Sequence, residues 1–240
     1  MKKITKLLVF IVVILVFQAF GKKSSNEQLG NNNIKSSNSF IDNLIKNMSI
    51  EQKVGQMTQI NIDVISKGEI YNLKVPHQID SIKLDIAINK YFVGSILNAA
   101  GYPFSRDHWK SVITTIQKKA LLEGNKIPII YGIDAIHGAN YTIGATLFPQ
   151  QIALAATWNP ELVEEAASIT AYDVAASGIP WNFSPVLDLA RQPLWGRYYE
   201  TFGEDVYLAK TMGRAFIKGY QGEDVKHPKK VAACLKHYVG

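Results

Sequence analysis

Short apolar runs separated by helix-forming segments constrain the fold of this chain more than any other feature. Each run is five to seven residues long, which is typical of strands buried on both faces of a parallel sheet. The runs are Val93–Leu97, Ile129–Asp134, Asn182–Asp188 and Val231–His237. Because strands that alternate with helices form right-handed βαβ units, the sequence predicts an α/β fold around a parallel sheet.

Helix signals fill the gaps between these runs. Ser105 is placed to cap a helix, and Asn159 precedes Pro160, a residue favoured in the first helical turn. Gly178 suits the left-handed conformation that ends many helices, and Asp205 favours the positive start of another. The apolar stripe of the first helix consists of Trp109, Val112, Ile113, Ile116 and Ala120.

The first 21 residues have the pattern of a secretory signal peptide. Three lysines precede the apolar run Leu7–Phe17, and Ala19-Phe20-Gly21 then offers small residues at a cleavable spacing. A membrane-spanning helix needs about 20 apolar residues, so an uncleaved anchor is the less favoured alternative. We therefore expect export to the periplasm or the extracellular space, with membrane contact only during export.

The next part of the chain has a different character. Residues 22–38 are polar and poor in large apolar side chains, which predicts a flexible linker. The barrel-type domain is then expected over residues 39–240, starting with a helix from about Phe40 to Met57. The stretch that follows, to about Pro76, carries no clear pattern.

Charge and cysteine content narrow the possible functions. The formal charge of +6 comes partly from the signal peptide, and the other lysines are scattered, so nucleic-acid binding has little support. The single cysteine, Cys234, excludes an intrachain disulfide and is expected to fill the core. Strand alternation would send Cys234 and His237 to opposite faces, which argues against a catalytic Cys-His pair.

The loop Arg191–Asp205 carries the chemistry of carbohydrate recognition. Trp195 offers a surface for the apolar face of a pyranose ring, and Arg197 and Glu200 offer a donor fork and a carboxylate for its hydroxyls. The loop follows a predicted strand, and parallel α/β folds bind ligands at the carboxyl ends of their strands. Taken alone, however, the loop could also simply end a strand and cap the next helix.

Three further motifs accompany this loop: Tyr131–Gly138, Ala145–Leu162 and Ala232–Gly240. Together the four segments resemble glycoside hydrolase family 3, in its β-glucosidase and glucan exohydrolase branch, and the resemblance runs from about Ser39 to Gly240. It implies a (β/α)8 TIM-type barrel, which takes about 250 residues. With four predicted strands, we expect this chain to contain about the first half of that barrel.

The resemblance also implies a sugar site. It places Asp134 against the nonreducing-end sugar, with Arg197, Lys236 and His237 in the same subsite and Glu200 orienting the basic residues. Lys236 and His237 are neighbours, so both need a loop conformation to face one ligand. The resemblance is imperfect at the edge of the loop, where Gln192, Leu194 and Val206 replace common family residues. These changes affect the choice of substrate more than the family assignment.

The mechanism implied is retaining hydrolysis by two carboxyl groups about 5 to 5.5 Å apart. The family's nucleophile and acid/base are expected beyond Gly240, so the 240-residue chain alone should be inactive and fold poorly. Asp173 and Asp188 are expected to be structural, and His137 is expected to bond to backbone. No cofactor or metal is expected, and the sequence does not fix the oligomeric state.

Two other functions compete with a β-glucosidase. A β-N-acetylhexosaminidase is disfavoured because Val239 stands where such enzymes have proline. A noncatalytic exported sugar-binding module would explain the missing carboxylates, although half a barrel should not close its sheet. A dinucleotide-binding fold has even less support than these two functions, since no predicted strand leads into GxGxxG.

Overall fold

The computed structural model describes residues 39–238, so the predicted signal peptide and linker lie outside the described residues. The chain divides into two compact units, Met1–Ser49 and Ile50–Gly240. In the first unit, the described residues form helix α1 over 39–47. The second unit begins with α2, Ile50–Gln56. The segment predicted to be helical from about Phe40 to Met57 is therefore largely helical, but it forms two helices instead of one, and serine, favoured at helix starts, stands between them at Ser49.

The second unit is built on a five-stranded parallel sheet. In chain order the strands are β1 (Gln59–Asn61), β2 (Gly68–Glu69), β3 (Asn72–Leu73), β4 (Ser95–Leu97), β5 (Ile130–Ile133), β6 (Trp181–Asn182) and β7 (Ala232–Ala233). Strands β2 and β3 form a separate antiparallel pair, and the sheet order is β1-β4-β5-β6-β7. Each parallel strand therefore lies beside the next parallel strand in the chain, and the order of strands never reverses across the sheet. This is the winding of a TIM-type (β/α)8 barrel, which confirms the predicted fold class.

Strand β1 was missed by the sequence analysis, which predicted four parallel strands instead of five. Its three residues have Ile60 between the polar Gln59 and Asn61, so no apolar run marks it. The Asn61 side chain accepts a hydrogen bond from the Asp63 backbone at 3.1 Å, which starts a 3₁₀ turn directly after the strand. The turn covers Ile62–Ile65.

The later strands are shorter than predicted. In the run Asn182–Asp188 the strand ends at Asn182, and the Ser184 N–H donates to the Asn182 carbonyl at 2.9 Å instead of to a neighbouring strand. Pro185, which follows, has no N–H to give to a ladder. Beyond it, Val186 forms a single parallel bridge with Lys236. Backbone pairing therefore brings the segment after β6 alongside the segment after β7.

Three of the helices that follow confirm predicted boundaries, namely those that start after Ser105, Asn159 and Asp205, and the other two were not predicted. They are α3 (Ser81–Asp85, continued by a π turn over Ile86–Lys90), α4 (Arg106–Leu122), α5 (Gln151–Ala155), α6 (Pro160–Ala176) and α7 (Val206–Gln221). Ser105, Asn159 and Asp205 each cap their helix by accepting a backbone N–H with the side chain. Gly178 has φ +80°, as predicted for a left-handed stop after α6.

The core lies between the sheet and these helices. The predicted stripe of α4 is buried, and Trp109 is fully enclosed. Phe216 and Tyr220 of α7 pack edge to face, and the Tyr220 hydroxyl donates to the Ala135 carbonyl at 3.0 Å. Burial raises the pKa of Tyr220, so its hydroxyl remains a donor. The contact fixes the backbone just after β5, where the charged residues begin.

Candidate functional site

An open cavity of about 580 Å³ lies at the carboxyl ends of the strands. All five residues predicted to bind sugar line it: Asp134, Arg197, Glu200, Lys236 and His237. They come from three separate segments, after β5, after β6 and after β7. The position agrees with the rule that parallel α/β barrels carry their sites on this face.

Asp134 and Lys236 form an ion pair across the cavity. Lys236 Nζ donates to Asp134 Oδ1 at 2.5 Å, although the two residues are 102 positions apart. The backbone of Asp134 is held by Asn98, whose Oδ1 accepts the Asp134 N–H at 3.2 Å. The backbone of Lys236 is held by Leu187, whose N–H donates to the Lys236 carbonyl at 2.7 Å. Segments that follow four strands, β4, β5, β6 and β7, therefore determine the position of this one ion pair.

Arg197 and Glu200 form a two-pronged pair within the 3₁₀ turn Tyr198–Glu200. Arg197 Nε donates to one carboxylate oxygen at 3.0 Å, and Nη2 donates to the other at 2.5 Å. Glu200 is 8% exposed, and the Gln151 side chain donates to its carbonyl at 2.7 Å. The hydrogen bonds to Glu200 raise the pKa of the Arg197 guanidinium, so its charge is secure. The predicted orienting role of Glu200 agrees with this geometry.

His237 connects the guanidinium to Asp188. A guanidinium can only donate, so His237 Nε2, 3.2 Å from Arg197 Nη1, must accept. His237 Nδ1 then donates to Asp188 Oδ2 at 2.7 Å, and the His237 backbone N–H donates to Oδ1 at 3.2 Å. Asp188 has a nearly buried side chain that serves as an acceptor for His237, as the sequence analysis predicted.

The loop after β5 is fixed by its own backbone. Gly138 has φ +99°, and a Cβ on it would collide with the Thr146 carbonyl oxygen, so only glycine fits. The Phe148 N–H donates to the His137 carbonyl at 2.9 Å, and His137 Nδ1 lies 3.2 Å from the Phe148 carbonyl. His137 thus bonds to backbone, as predicted, while also lining the cavity.

The N terminal domain of glycosyl hydrolase family 3 matches residues 49–240 of the chain. The chain belongs to glycosyl hydrolase family 3. A lysosomal beta glucosidase of Dictyostelium discoideum is 41% identical over 239 residues, covering 93% of this chain and 28% of that protein. A putative beta-xylosidase of Formosa agariphila is 31% identical over 207 residues, covering 83% of this chain and 26% of that protein.

Solved structures of family 3 enzymes have the same fold. An exo-1,3/1,4-beta-glucanase from a Pseudoalteromonas species has a TM-score of 0.69 and 31% identity. The match covers 84% of this chain and 25% of that structure. The chain therefore spans about a quarter of the length of the family 3 proteins described here.

Two details of the family 3 site differ from the sequence-based predictions. Trp195 does not line the cavity, whereas Tyr141, Phe183 and Tyr199 do. Cys234 is half-buried and lines the cavity together with His237, so the prediction of opposite faces was wrong. Because β7 ends at Ala233, strand alternation no longer governs the residues that follow.

Several cavity residues were not found in the sequence. Asn98 directly follows β4, so the rule that selected Asp134 after β5 could have found it. Asn140 and Gln150 lie in the loop between β5 and α5, where no strand end marks them. For these two, only the three-dimensional path of the loop brings the side chains to the cavity.

Within residues 39–238, no three or more His, Cys, Asp and Glu side chains are grouped so that they could hold a metal ion. No helix in that part of the chain is both long and apolar enough to cross a membrane. The expected lack of a cofactor stays a prediction.

Proposed function

We propose that the protein containing this chain hydrolyses β-glucosides or β-glucan oligosaccharides and releases terminal nonreducing β-D-glucose. One observation carries the proposal: Asp134, Arg197, Glu200, Lys236 and His237 converge on one open cavity from three separate segments. The match to family 3 glucosidases supports the same function.

The free hydrogen-bonding groups in the cavity suit a polyhydroxyl ligand. A guanidinium has five N–H groups, of which Arg197 uses two for Glu200 and one for His237, which leaves two for a ligand. The Lys236 ammonium has three, and one donates to Asp134. Among the described residues, no hydrogen bond involves Asp134 Oδ2, so this oxygen can accept from a hydroxyl. Fixed donors and acceptors of this kind would hold one sugar in one orientation.

We infer that the bond-breaking carboxyl groups lie outside this chain. Retaining hydrolysis needs one carboxylate as nucleophile and one carboxylic acid as proton donor. Asp134 is paired with Lys236, Glu200 is bound through both oxygens by Arg197, and both oxygens of Asp188 accept from His237. None of the three is therefore assigned the nucleophile. Residues 1–240 expressed alone are expected to leave aryl glycosides intact.

A β-xyloside is the second candidate substrate, because a relative with 31% identity is named a putative beta-xylosidase. Xylose and glucose share the ring hydroxyls and differ by the hydroxymethyl group. Asp134, Arg197, Glu200, Lys236 and His237 suit both sugars, so they do not decide between them.

The test is an assay of the protein made from the complete open reading frame. We expect hydrolysis of aryl β-glucoside at a higher kcat/KM than of aryl β-xyloside, with β-glucose as the first anomer seen by proton NMR. A higher kcat/KM for the xyloside would show that the proposed substrate is wrong and that a β-xyloside is preferred. Release of α-glucose as the first product would overturn the retaining mechanism. Sugar binding without turnover of either glycoside would favour the noncatalytic module.

We also propose that the protein is exported, with cleavage after about residue 21. The basic start and short apolar run of the sequence support this, and the Dictyostelium relative is named for the lysosome, a membrane-enclosed compartment. Amino-terminal sequencing of the mature protein should find a start near Lys22. Recovery of an intact Met1 in a soluble cytoplasmic product would overturn the proposal.

A further inference from the structure

Two buried amides near the cavity bind the backbone through both the oxygen and the nitrogen of the amide group. Gln151 Nε2 donates to the carbonyls of Val186 and Glu200 at 2.9 and 2.7 Å, and Oε1 accepts from the Val186 N–H at 3.2 Å. Asn182 exchanges two hydrogen bonds of 2.9 Å with the backbone of Ala135. Both amides therefore hold the framework of the site together.

Asn98, the first residue after β4, has a fixed backbone. Its φ of +62° lies in the left-handed region, which asparagine tolerates better than most residues that carry a side chain. The Asn98 N–H donates to the Gly132 carbonyl at 3.0 Å, and the Asn98 carbonyl accepts from the Tyr131 hydroxyl at 2.6 Å. Two residues of β5 therefore hold both polar groups of the Asn98 backbone.

The side-chain oxygen of Asn98 is fixed as well. Asn98 Oδ1 accepts the Asp134 N–H at 3.2 Å. A backbone N–H can only donate, so the amide atom that faces it must be the oxygen, and the two ends of the amide cannot be exchanged. The amide nitrogen, Nδ2, is thereby placed beside the residue whose carboxylate pairs with Lys236.

The protein leaves this nitrogen unused. Asn98 lines the open cavity, and Nδ2 makes no hydrogen bond to any described residue. Four side-chain atoms of the described residues are buried without a partner, namely both polar atoms of Asn125, Asn140 Oδ1 and Gln150 Oε1. Asn98 Nδ2 is not one of them, so its two N–H groups are accessible and need no protein partner.

We propose that Asn98 Nδ2 donates a hydrogen bond to one hydroxyl of the bound sugar and helps to select it, an inference that rests on the proposed function. Asp134 Oδ2 has no hydrogen bond among the described residues and can accept the proton of a hydroxyl. The oxygen of the same hydroxyl can accept from Asn98 Nδ2. Asn98 and Asp134 then form a donor and an acceptor for one group, and Asn98 adds no charge beside the ion pair.

The expected effect of the Asn98 amide is modest but specific. Removal of Nδ2 should weaken the binding of glucose by about 2- to 13-fold, the equivalent of about 0.5 to 1.5 kcal/mol for a neutral hydrogen bond. An analogue that lacks the matching hydroxyl has nothing to lose at this position. Its affinity relative to glucose should therefore rise by the same factor, while other deoxy analogues keep their relative affinities.

Two variants of Asn98 test the inference in the protein made from the complete open reading frame. Asn98→Gly removes the side chain, and glycine adopts the left-handed backbone without strain. It also frees the Asp134 N–H, which should weaken all ligands alike and so cancel in relative affinities. Asn98→Asp keeps the shape of the side chain and an oxygen for the Asp134 N–H, but its carboxylate has no N–H to donate.

Tyr131→Phe is the matched control. It removes the hydroxyl that donates to the Asn98 carbonyl and leaves the Asn98 side chain unchanged. Dissociation constants are measured for glucose and for the four analogues that each lack the hydroxyl at C2, C3, C4 or C6. If wild type prefers xyloside, xylose and its deoxy analogues replace them.

We expect Asn98→Gly and Asn98→Asp to lose discrimination against the same single analogue, while Tyr131→Phe keeps the wild-type pattern. If Asn98→Gly does not fold, Asn98→Asp decides. Wild type that binds glucose, with unchanged relative affinities in the folded Asn98 variants, would overturn the inference and leave the proposed function standing. An equal change in Tyr131→Phe would also overturn it, because a displaced loop would then account for the effect. Wild type that neither binds these sugars nor cleaves the glycosides would overturn both.

Discussion

Asp188 holds His237 by two hydrogen bonds, one from the imidazole Nδ1 at 2.7 Å and one from the backbone N–H at 3.2 Å. The arrangement turns His237 Nε2 toward Arg197, which also donates two hydrogen bonds to the Glu200 carboxylate. This carboxylate, which was expected from the sequence to be structural, thus orients a side chain that lines the cavity. Variants of Asp188 can therefore distinguish this orienting role from the role of a nucleophile.

Asp188→Asn should lower kcat/KM less than Asp188→Ala does, because the amide oxygen can still accept one of the two hydrogen bonds from His237. Asp188→Ala should lower kcat/KM by about 10- to 100-fold, in line with the loss of a hydrogen bond to a charged group. Steady-state kinetics of the two variants on an aryl β-glucoside would measure this. A loss of more than about 10⁴-fold in Asp188→Asn would instead identify Asp188 as the nucleophile.

Asp134→Ala and Arg197→Ala should each reduce transition-state stabilisation by about 2 to 4 kcal/mol in kcat/KM, because each leaves charged partners unpaired. The partners are Lys236 for Asp134 and Glu200 for Arg197. Arg191→Ala is the control, since Arg191 is an exposed arginine of the same loop that does not line the cavity. Near-normal activity of a cavity variant would remove that residue from the sugar site.

Gln151→Leu should destabilise the fold by about 2 to 4 kcal/mol, because it leaves three buried backbone groups without a partner. Gln150→Leu should change stability by less than about 1 kcal/mol, since its oxygen has no partner to lose among the described residues. Urea denaturation of the two variants makes the comparison. Equal destabilisation would show that the Gln150 amide also supports the fold.

Acid should weaken the fold through His77. This ring is buried, with Nε2 2.8 Å from Ser66 Oγ and Nδ1 3.0 Å from His108 Nε2. Burial lowers the pKa of His77 from 6.5 to about 4, electrostatic interaction with His108 contributes to the lowering, and Asp63 opposes the shift. Between these pH values the unfolded chain binds the extra proton and the folded chain does not. Stability from this group is therefore complete above pH 6.5 and declines as the pH falls toward 4.

The midpoint of urea denaturation, measured from about pH 7.5 to about pH 4, should follow that decline. His77→Gln should flatten the profile over the same window, even if the variant is less stable throughout. An unchanged slope in His77→Gln would assign the acid sensitivity to other groups.

Local signals in the sequence were sufficient for three helices, α4, α6 and α7. Ser105, Asn159 and Asp205 cap the helices that they were predicted to start, because a cap depends on residues three positions apart. Strand β1 escaped notice because its pairing with β4 is set by distant residues and its own pattern is polar, apolar, polar. Strand ends likewise gave the position of Asp134 correctly.

The rest of the site depends on where strands stop. Cys234 and His237 share the cavity because β7 ends at Ala233, earlier than the apolar run suggested. Trp195 lies outside the cavity lining, and Tyr199, four residues later, provides an aromatic ring in its place. The lack of a partner at Asn140 Oδ1 and Gln150 Oε1 among the described residues could not be predicted, since only a folded structure shows which buried polar atoms are unpaired.

The most direct test of the central claim is a crystal structure, with bound glucose, of the protein made from the complete open reading frame. The account predicts one glucose ring in the cavity, with hydroxyls within hydrogen-bond distance of Asp134, Arg197 and Lys236. Glucose bound at another place, with the cavity empty at saturating concentration, would contradict it.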